Sequence, residues 1–590
     1  MADNDDSNAI PTLEDWQHWT LVMGRAQQMM MEAWSTSVKA DQPFPSWSPS
    51  AFGFGGQAMS PTDPMALMSA GAQAWAKGLE TWGKMIGGVT AVPPADDKAR
   101  KDRRFAAPEW AENPLFDTIR QTYLRMSDQL LGTVEEIDNV DAPTREKLRF
   151  ATRSFVDAMS PSNFALTNPQ VLKRTIETRG ENLLKGLANM LKDIAAGQLS
   201  QTKSGAFEVG RNLAMTPGKV VKTTRLYQLI QYTPTTDTVL KTPVVVFPPW
   251  INRFYILDLN PEKSLVKWCV DNGVTLFMVS WKSADESIAD ARLDDYVVDG
   301  QIDAIDTVRD LLDVEAVHAI GYCVAGTTLA ATLAYLDAKG EAEKVKSATF
   351  FTAQVDFAEA GDLKLFTGPE TIGLLDELTK DKGFLDGRYM AATFNLLRGR
   401  DLIWSYVVNN YLLGEEPAPF DLLHWNSDTT NLPGGWHRDY LESFYKGNKL
   451  AEKGGITVAG TKIDIGRVKT PSYVQAGRED HIAPPQSVWK IMDHFTGPIR
   501  FVLAGSGHIA GVVNPPAAHK YQYWINEEPG ATLHDFIAGA SEHQGSWWPD
   551  WLAWLKQRDG ATVTADGARI PGKGKLKAIE DAPGSYVKAR

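Results

Sequence analysis

The feature that most constrains this sequence is a glycine turn around a cysteine, Gly321-Tyr322-Cys323-Val324-Ala325-Gly326-Thr327. An apolar run at 315–320, short enough for a buried strand, precedes the turn, and good helix formers follow over 329–338. A strand, a tight turn and a helix with a nucleophile at the apex form a nucleophile elbow, where serine is the usual nucleophile. The flanking glycines allow a sharp turn without Cβ clashes. The pattern also arises by chance, so the rest of the chain decides whether Cys323 is a nucleophile or a buried apolar residue.

Length, charge and cysteine content exclude several classes of protein. With 590 residues the chain is long enough for two or more domains. A net charge of −13 argues against nucleic acid as the main partner. The two cysteines, Cys269 and Cys323, cannot form a disulfide framework or a cysteine-rich metal site. The acidic N-terminus is unlike a signal peptide, and no apolar run reaches the roughly 18 residues of a membrane span. We therefore expect a cytoplasmic protein without a transmembrane segment.

Residues 1–205 are predicted to form a helical N-terminal domain. Methionine and tryptophan recur at helical spacing over Leu13–Val38 and Met65–Ile86, separated by Gly-, Pro- and Ser-rich sequence. These stripes have two interpretations. They pack helices together, or they present an apolar face to another protein or an apolar particle.

From residue 206 onward the pattern is typical of an α/β domain. Short β-branched runs alternate with helical stretches, which predicts a mainly parallel sheet covered on both faces. The predicted strands are Leu226–Tyr232, Val244–Phe247, Val274–Val279, Ala316–Ile320, Ala348–Thr352, Tyr473–Ala476 and Arg500–Ala504. The alternation stops over about 353–470, an aromatic-rich interval that we interpret as an inserted cap and call the insertion. The tail from Arg558 to Arg590 lacks periodicity and is predicted to be partly loose.

Two loops after later strands supply partners for Cys323. Asp480 follows the strand Tyr473–Ala476, and His508 follows Arg500–Ala504. Nucleophile, acid and base in this chain order, each in a loop after a strand, match the α/β-hydrolase fold. Glu479 competes with Asp480 for the acid, and His481 competes with His508 for the base. His508 is favoured because glycines precede it at the end of the final strand, and Asp480 is favoured as the residue beside the turn.

An acyl-transfer site also needs an oxyanion hole, and the sequence suggests two donors. The first is the backbone N–H of Val324, the residue after the nucleophile. The second should come from the loop after the strand Val244–Phe247, which reads Pro-Pro-Trp-Ile-Asn over 248–252. Proline has no N–H, so the donor is Trp250, Ile251 or Asn252, and we favour Ile251.

Taken together, these residues resemble class I polyhydroxyalkanoate synthases. The resemblance covers most of 245–555 and rests on PPWINRFYILDL (248–259), GVTLFMVSW (273–281), GYCVAGT (321–327), LLRGRDLIW (396–404), AGREDHI (476–482), GSGHIAGVVNPP (505–516) and GSWWPDWLAWL (545–555). It implies that Cys323 is the acyl nucleophile, that His508 is its base and that Asp480 helps activate the incoming hydroxyl. One letter departs from the family pattern: Ala325 replaces the first glycine of a Gly-Gly pair.

The resemblance also implies a substrate and partners. It implies polymerisation of short (R)-3-hydroxyacyl-CoA, chiefly 3-hydroxybutyryl-CoA, with CoA as part of the substrate and as a product, no separate cofactor and no metal. The partners that it implies are a second copy of the chain in a homodimer, the growing polyester chain, the surface of polyester granules and granule-associated proteins. We expect substrate contacts from Trp250, Asn252, Arg398, Trp425, His481 and Ile482. Arg398 and Arg400 are candidates for CoA phosphates, or else are ion-paired within a cap helix. The alternatives are a thioesterase or intracellular polyester depolymerase on the same scaffold, and a non-catalytic granule coat.

Overall fold

A computed structural model of the chain describes residues 102–137 and 140–589. The predicted N-terminal helices Leu13–Val38 and Met65–Ile86, and the linker between them, lie outside the described residues. The chain divides into two compact units. One runs up to Ser204 and also includes Ala392–Pro419, and the other contains Gly205–Ala391 and Phe420–Arg590.

The described part of the first unit is helical. Its α-helices span Glu109–Glu112, Pro114–Glu136, Ala142–Ala158, Pro169–Glu177 and Glu181–Ala196, and π-helical turns span Arg400–Trp404 and Val407–Leu412. Side chains cap three of the helices: Asn113, Asp141 and Asn168 each accept a hydrogen bond from a backbone N–H in the first turn. A small core of buried aromatic and aliphatic side chains holds the unit together.

The second unit is built on an eleven-stranded sheet. In chain order its strands are β1 (Gly218–Thr223), β2 (Tyr227–Tyr232), β3 (Val244–Phe247), β4 (Leu276–Trp281), β5 (Val317–Tyr322), β6 (Val345–Phe351), β7 (Ser472–Gly477), β8 (Ile499–Ala504), β9 (Gln522–Ile525), β10 (Ser541–Gln544) and β11 (Glu580–Asp581). The spatial order is β10-β9-β8-β7-β6-β5-β3-β4-β2-β1-β11.

Parallel strands form the middle of this sheet, and antiparallel strands extend both edges. Pairing is parallel from β8 through β7, β6, β5 and β3 to β4. The strands β2, β1 and β11 at one edge, and β9 and β10 at the other, pair antiparallel. All seven predicted strands are confirmed. The central strands are buried on both faces, as expected for parallel strands covered by helices.

Helices flank the sheet. The α-helices of the second unit span Leu265–Asp271, Leu293–Asp295, Asp303–Leu312, Val324–Lys339, Pro369–Thr379, Asp421–Ser427, Gly434–Asp439, Pro485–Trp489, Ile491–His494, Leu533–Gly539 and Trp548–Arg558, the helix Gly387–Leu397 crosses the division between the units, and π-helical turns span Tyr296–Ile302 and Tyr440–Lys446. Three two-stranded sheets pair Thr238–Leu240 with Thr562–Thr564, Phe384–Leu385 with Leu432–Pro433, and Thr457–Val458 with Thr461–Lys462. Among the described residues, no helix combines the length and apolarity needed to span a membrane.

The tail is more ordered than the sequence suggests. Strand β11 pairs with β1, and the side-chain oxygen of Gln228 accepts hydrogen bonds from the backbone N–H groups of Ser585 and Tyr586. Val587 is 2% exposed and belongs to the main core. Tertiary partners on β1 and β2 impose this order, which the local sequence does not encode.

Candidate active site

Cys323 lies at the junction of β5 and the helix Val324–Lys339, which we call the elbow helix. Its backbone angles are φ 54° and ψ −127°, a left-handed region that non-glycine residues rarely adopt. Its N–H donates to the carbonyl of Phe351 on β6 at 2.9 Å, and its own carbonyl accepts from the N–H groups of Gly326 and Thr327. The thiol is half-buried. The neighbouring strand and the first helical turn therefore hold the cysteine at the apex of the turn.

Two glycines make this turn possible. A Cβ on Gly321 would lie 2.5 Å from the Cα of Gly326, and a Cβ on Gly326 would lie 2.4 Å from the Cβ of Ala353. Neither position has room for a side chain. Ala325, the residue that departs from the family pattern, is fully buried, and its carbonyl accepts a hydrogen bond from Gln301 at 2.9 Å. The turn thus has room for the methyl group of Ala325, whereas alanine would not fit at Gly321 or Gly326.

The acid and base loops meet beside the elbow. His508 Nδ1 donates to Asp480 Oδ2 at 2.7 Å, and the other carboxylate oxygen accepts from the N–H groups of Ile482 and Ala483 at 2.8 and 2.9 Å. The Asp480 side chain has no exposed surface, and that of His508 is 10% exposed. Both oxygens of the carboxylate are occupied, so its orientation is fixed. Since Asp480 takes Nδ1, the other ring nitrogen of His508 is left for the thiol of Cys323.

The charges around His508 favour its protonated form. Burial lowers the pKa of the imidazole, but the negative charges of Asp480 and Cys323, and hydrogen bonds to both, raise the pKa well above its usual value. Tyr322 also donates its hydroxyl to the His508 carbonyl at 2.9 Å. The imidazole is thus placed to accept the proton of the Cys323 thiol during the attack and to hold it beside Asp480.

Two tryptophans fasten the loop that carries His508. Trp547 donates its indole N–H to the carbonyl of Gly511 at 2.8 Å, and Trp548 donates to that of Val512 at 2.9 Å. Both indoles are fully buried. The sequence showed these tryptophans as part of a family motif, but not which backbone groups they bind.

Tyrosines of the insertion lie next to the nucleophile, and sequence reasoning missed them. The Gln354 amide donates to the Tyr445 hydroxyl at 3.3 Å, and Thr327 donates to the Gln354 carbonyl at 2.7 Å. Tyr440 packs against Tyr445 with ring centroids 5.4 Å apart. These contacts link the insertion, the elbow helix and the loop after β6. Burial and then the charge of Cys323 raise the pKa of Tyr445, which stays a neutral hydroxyl beside the sulfur.

The candidate oxyanion loop, residues 248–252, begins beside the elbow. Phe247 on β3 pairs with Gly321 on β5, so both strands deliver their carboxyl ends to the same edge of the sheet. The carbonyl of Trp250 accepts a hydrogen bond from the Thr430 hydroxyl, and Asn252 forms an isolated bridge with Thr429. Ile251 lies half-buried between these two fixed residues.

The aromatic residues expected at the substrate are packed in the interior. Trp250 is 1% exposed and stacks on Tyr296 with ring centroids 4.1 Å apart. Trp425 is 4% exposed and donates its indole N–H to the Arg253 carbonyl at 2.6 Å. Asn252 is buried as well. Trp250 and Asn252 thus anchor the oxyanion loop in the interior, and Trp425 binds the backbone directly after it.

The polar and charged candidates fall into two groups. His481 and Ile482 are half-buried in the Asp480 loop. Arg398 pairs with Asp401 at 2.8 Å, and Arg400 pairs with Asp157 at 3.0 Å within the first unit. The Arg398 pair lies within the insertion, in line with the alternative interpretation, whereas the partner of Arg400 lies in the helix Ala142–Ala158 outside the insertion.

The other cysteine and a strand histidine have structural surroundings. Cys269 is fully buried in the helix Leu265–Asp271, and burial raises its pKa. His318 lies in β5 and hydrogen-bonds to Ser347, and burial lowers its pKa to about 4.

Two protein families match the sequence. The family described as "Poly-beta-hydroxybutyrate polymerase (PhaC) N-terminus" matches residues 101–269. The alpha/beta hydrolase fold family matches residues 238–515, which contain Cys323, Asp480 and His508. The second match agrees with the sheet and the nucleophile elbow described above.

Several similar proteins are named as poly(3-hydroxyalkanoate) polymerases. The "Poly(3-hydroxyalkanoate) polymerase subunit PhaC" of Rhizobium meliloti is 44% identical over 90% of this chain and 87% of its own length. The protein of the same name from Cupriavidus necator is 43% identical over 83% of each chain. Among solved structures, an alpha/beta fold family hydrolase from Bacillus anthracis is 12% identical over 50% of this chain and 94% of its own, with a TM-score of 0.30, a likeness too small to carry an argument.

Proposed function

This chain belongs to the poly(3-hydroxyalkanoate) polymerase family, and we propose that it polymerises (R)-3-hydroxyacyl-CoA through a thioester on Cys323. The observation that carries the proposal is the placement of Cys323, His508 and Asp480. The cysteine occupies a strained elbow. The imidazole of His508 is hydrogen-bonded to Asp480 through Nδ1, which leaves Nε2 for the thiol of Cys323. Cys323 is therefore the nucleophile, and His508 is its base.

The first half of the cycle loads the enzyme. The Cys323 thiolate attacks the thioester carbonyl of the substrate, and the carbonyl π electrons move to oxygen. The N–H of Val324 and a donor from the oxyanion loop, Ile251, stabilise this oxyanion. When it collapses, the bond to CoA sulfur breaks, and CoA leaves with the proton of the His508 imidazolium. A new thioester now joins the acyl group to the enzyme.

The second half extends the chain. The 3-hydroxyl of another hydroxyacyl group attacks the Cys323 thioester, and the neutral imidazole of His508 accepts its proton. Asp480 assists by stabilising the imidazolium that forms. An ester bond forms, the carbon–sulfur bond breaks, and Cys323 leaves as a thiolate beside the protonated histidine. Charge and proton count return to their starting values.

Chain growth requires that water not replace the hydroxyl. The wall beside Cys323 is aromatic: Phe357 packs edge-on against Tyr440, Phe444 and Tyr445, with ring centroids 6.0, 5.7 and 4.8 Å apart. All four rings are buried. Part of the insertion thus supplies a dry surface next to the acyl-enzyme, which favours polymerisation over hydrolysis.

The proposal extends to substrate and assembly. We assign 3-hydroxybutyryl-CoA as the main substrate, a homodimer as the working form, and the surface of polyester granules as its place in the cell. In this proposal the N-terminal domain, 1–205, serves association, and the catalytic domain, 206–590, carries the chemistry with the insertion at about 353–470.

One assay separates polymerase from hydrolase. Purified protein receives (R)-3-hydroxybutyryl-CoA or (R)-3-hydroxyhexanoyl-CoA, and CoA release is measured beside polymer mass. We expect polymer to account for the CoA released, with the four-carbon substrate preferred. Cys323→Ala should abolish both signals, whereas the matched variant Cys269→Ala should keep them because that thiol is fully buried in the helix Leu265–Asp271 and cannot reach a substrate. CoA release with free acid alone would establish a thioesterase instead.

A further inference from the structure

Arg253, the residue directly after the oxyanion loop, is a buried cation. The residue is 3% exposed, and its guanidinium forms an ion pair with Asp428, Nε to Oδ1, at 2.9 Å. Asp428 also accepts a hydrogen bond from the Tyr255 hydroxyl at 2.9 Å. A charge at this depth requires a counter-charge, and Asp428 provides it. Because Arg253 directly follows the oxyanion loop, its contacts bear on the position of that loop.

The far end of the guanidinium binds the carbonyls of the tail. Nη1 donates to Val587 and Nη2 donates to Ala589, each at 2.8 Å. The tail itself is fixed, because Gln228 accepts from two of its N–H groups and Tyr586 donates its hydroxyl to the Thr224 carbonyl at 2.7 Å. Arg253 therefore ties the loop to the antiparallel edge of the sheet, more than three hundred residues away in sequence.

The backbone of the loop is held from the other side by the insertion. Trp425 donates to the carbonyl of Arg253, and Thr430 donates to that of Trp250. With the ion pair to Asp428, three residues of 425–430 grip this short stretch of chain. Ile251 lies between the two anchored carbonyls. The hydrogen bonds to the carbonyls of Trp250 and Arg253 thus fix the backbone on both sides of Ile251, and with it the direction of the Ile251 N–H.

We propose that Arg253 is a positioning residue for the second oxyanion donor, acting by locking the oxyanion loop to the tail segment 586–589. The inference rests on the proposed function, since it concerns the donor that stabilises the tetrahedral intermediate on Cys323. Arg253 does not touch the reacting atoms. Without the guanidinium, the loop loses its hydrogen bonds to the tail and Asp428 loses its counter-charge. The N–H of Ile251 is then displaced from the position that the oxyanion requires.

The test compares Arg253→Ala with a matched buried arginine elsewhere. Arg569 is 7% exposed and likewise binds backbone carbonyls, of Leu240 and Lys241, together with the Thr275 hydroxyl. It lies near the amino ends of β3 and β4, away from the elbow. Both alanine variants should lower the free energy of unfolding, but only Arg253→Ala should displace the N–H of Ile251. Butyryl-CoA, which lacks the 3-hydroxyl, serves as a substrate that loads Cys323 without elongation.

We expect Arg253→Ala to slow acylation by about 10- to 100-fold, the usual effect of a misplaced oxyanion donor. The infrared carbonyl band of the butyryl-enzyme should move to higher wavenumber because its hydrogen bond is weakened. Arg569→Ala should leave rate and band unchanged at equal folded fraction. Methylguanidine should partly restore Arg253→Ala, and if that variant does not fold, Arg253→Lys should show smaller changes in the same direction.

An unshifted band in Arg253→Ala, or equal rate losses in the two variants, would overturn the role of Arg253. Failure of the wild-type protein to form a butyryl-enzyme on Cys323 would instead refute the proposed function. The two failures are therefore distinguishable.

Discussion

At the scale of single residues, the site depends on a cysteine held in an unfavourable conformation. Strained backbone of this kind typically costs about 1–3 kcal/mol and persists only where the surroundings enforce it. Here the hydrogen bond to Phe351 and the close approach of Gly321 and Gly326 enforce it. The elbow gains a nucleophile that projects from the end of the sheet, beside the N-terminus of the elbow helix.

Gly326→Ala tests this packing. The new methyl group would lie 2.4 Å from the Ala353 Cβ, so the elbow or the loop after β6 must shift. We expect a loss of about 1–3 kcal/mol in the free energy of unfolding, together with slower acylation. Urea unfolding and single-turnover CoA release measure the two effects. The control is Ala325→Gly, which should cost only about 0.5–1 kcal/mol and keep activity. Equal effects at both positions would contradict the account of the turn.

Asp480→Asn tests the charge relation with His508. The carboxylate makes the largest contribution that raises the pKa of His508, while burial lowers it, so the variant should show a lower pKa for this imidazole. NMR titration of the imidazole C–H signals measures the change. An unaltered pKa would show that Asp480 is not the group that stabilises the imidazolium.

The sign of the accompanying pH dependence follows from the raised pKa. A histidine with a folded pKa above its unfolded value of about 6.5 contributes its full stabilisation below that pH and loses it as the pH rises through the folded pKa. The stability difference between the wild type and Asp480→Asn should therefore be largest near pH 6 and shrink in alkali. Urea unfolding at the two ends of this range checks the direction.

At the scale of elements, the insertion and the hydrolase scaffold share polar contacts. Asp356, just after β6, accepts hydrogen bonds from His494 Nε2 at 3.1 Å and from Asn448 at 2.9 Å. His494 is the last residue of the helix Ile491–His494, between β7 and β8 in the chain, and Asn448 follows the turn Tyr440–Lys446. Asp356 thus joins the start of the insertion to the segment that carries Tyr440 and Tyr445.

Asp356→Asn should loosen this junction. The hydrogen bond to His494, followed by those to the Ala358 N–H and Asn448, lowers the pKa of Asp356 to about 2, although burial opposes the shift. A depressed pKa contributes stability above the unfolded value, about 3.9, that is lost as the pH falls through the folded value. We expect a loss of about 2 kcal/mol at pH 6 that disappears towards pH 2. A pH-independent difference in urea unfolding would contradict this.

The elements that sequence could predict are those with local signals. Apolar runs predict the central strands, and the glycine turn predicts the elbow. The edge strand β10 was missed because its sequence, Ser541-Glu542-His543-Gln544, is polar, as an exposed antiparallel edge permits. Tyr440 and Tyr445 belong to the aromatic-rich insertion, whose sequence does not distinguish them from the other aromatic residues there, and Arg253 carries no local signal. Their roles arise from contacts across 91 to 334 residues, which no periodicity encodes.

At the scale of the whole molecule, the proposed chemistry belongs to one unit. Cys323, Asp480, His508 and the oxyanion loop all lie in the unit formed by Gly205–Ala391 and Phe420–Arg590. The tail, which the sequence left partly loose, completes this unit by pairing with β1 and binding Arg253. The insertion contributes to both units, because Ala392–Pro419 belongs to the first.

The central claim is that the growing acyl chain is bound to Cys323. Asp480→Asn protein is mixed with (R)-3-hydroxybutyryl-CoA, quenched in acid, digested and analysed by mass spectrometry. We predict one 3-hydroxybutyryl group on the peptide that contains Cys323, with little extension, because the hydroxyl that attacks in elongation is a far weaker acid than the thiol and depends more strongly on Asp480 for its activation. Wild-type protein should carry longer chains on the same peptide. Polymer formation by the wild type with no acyl group on Cys323, or with acyl groups on another residue, would contradict the account.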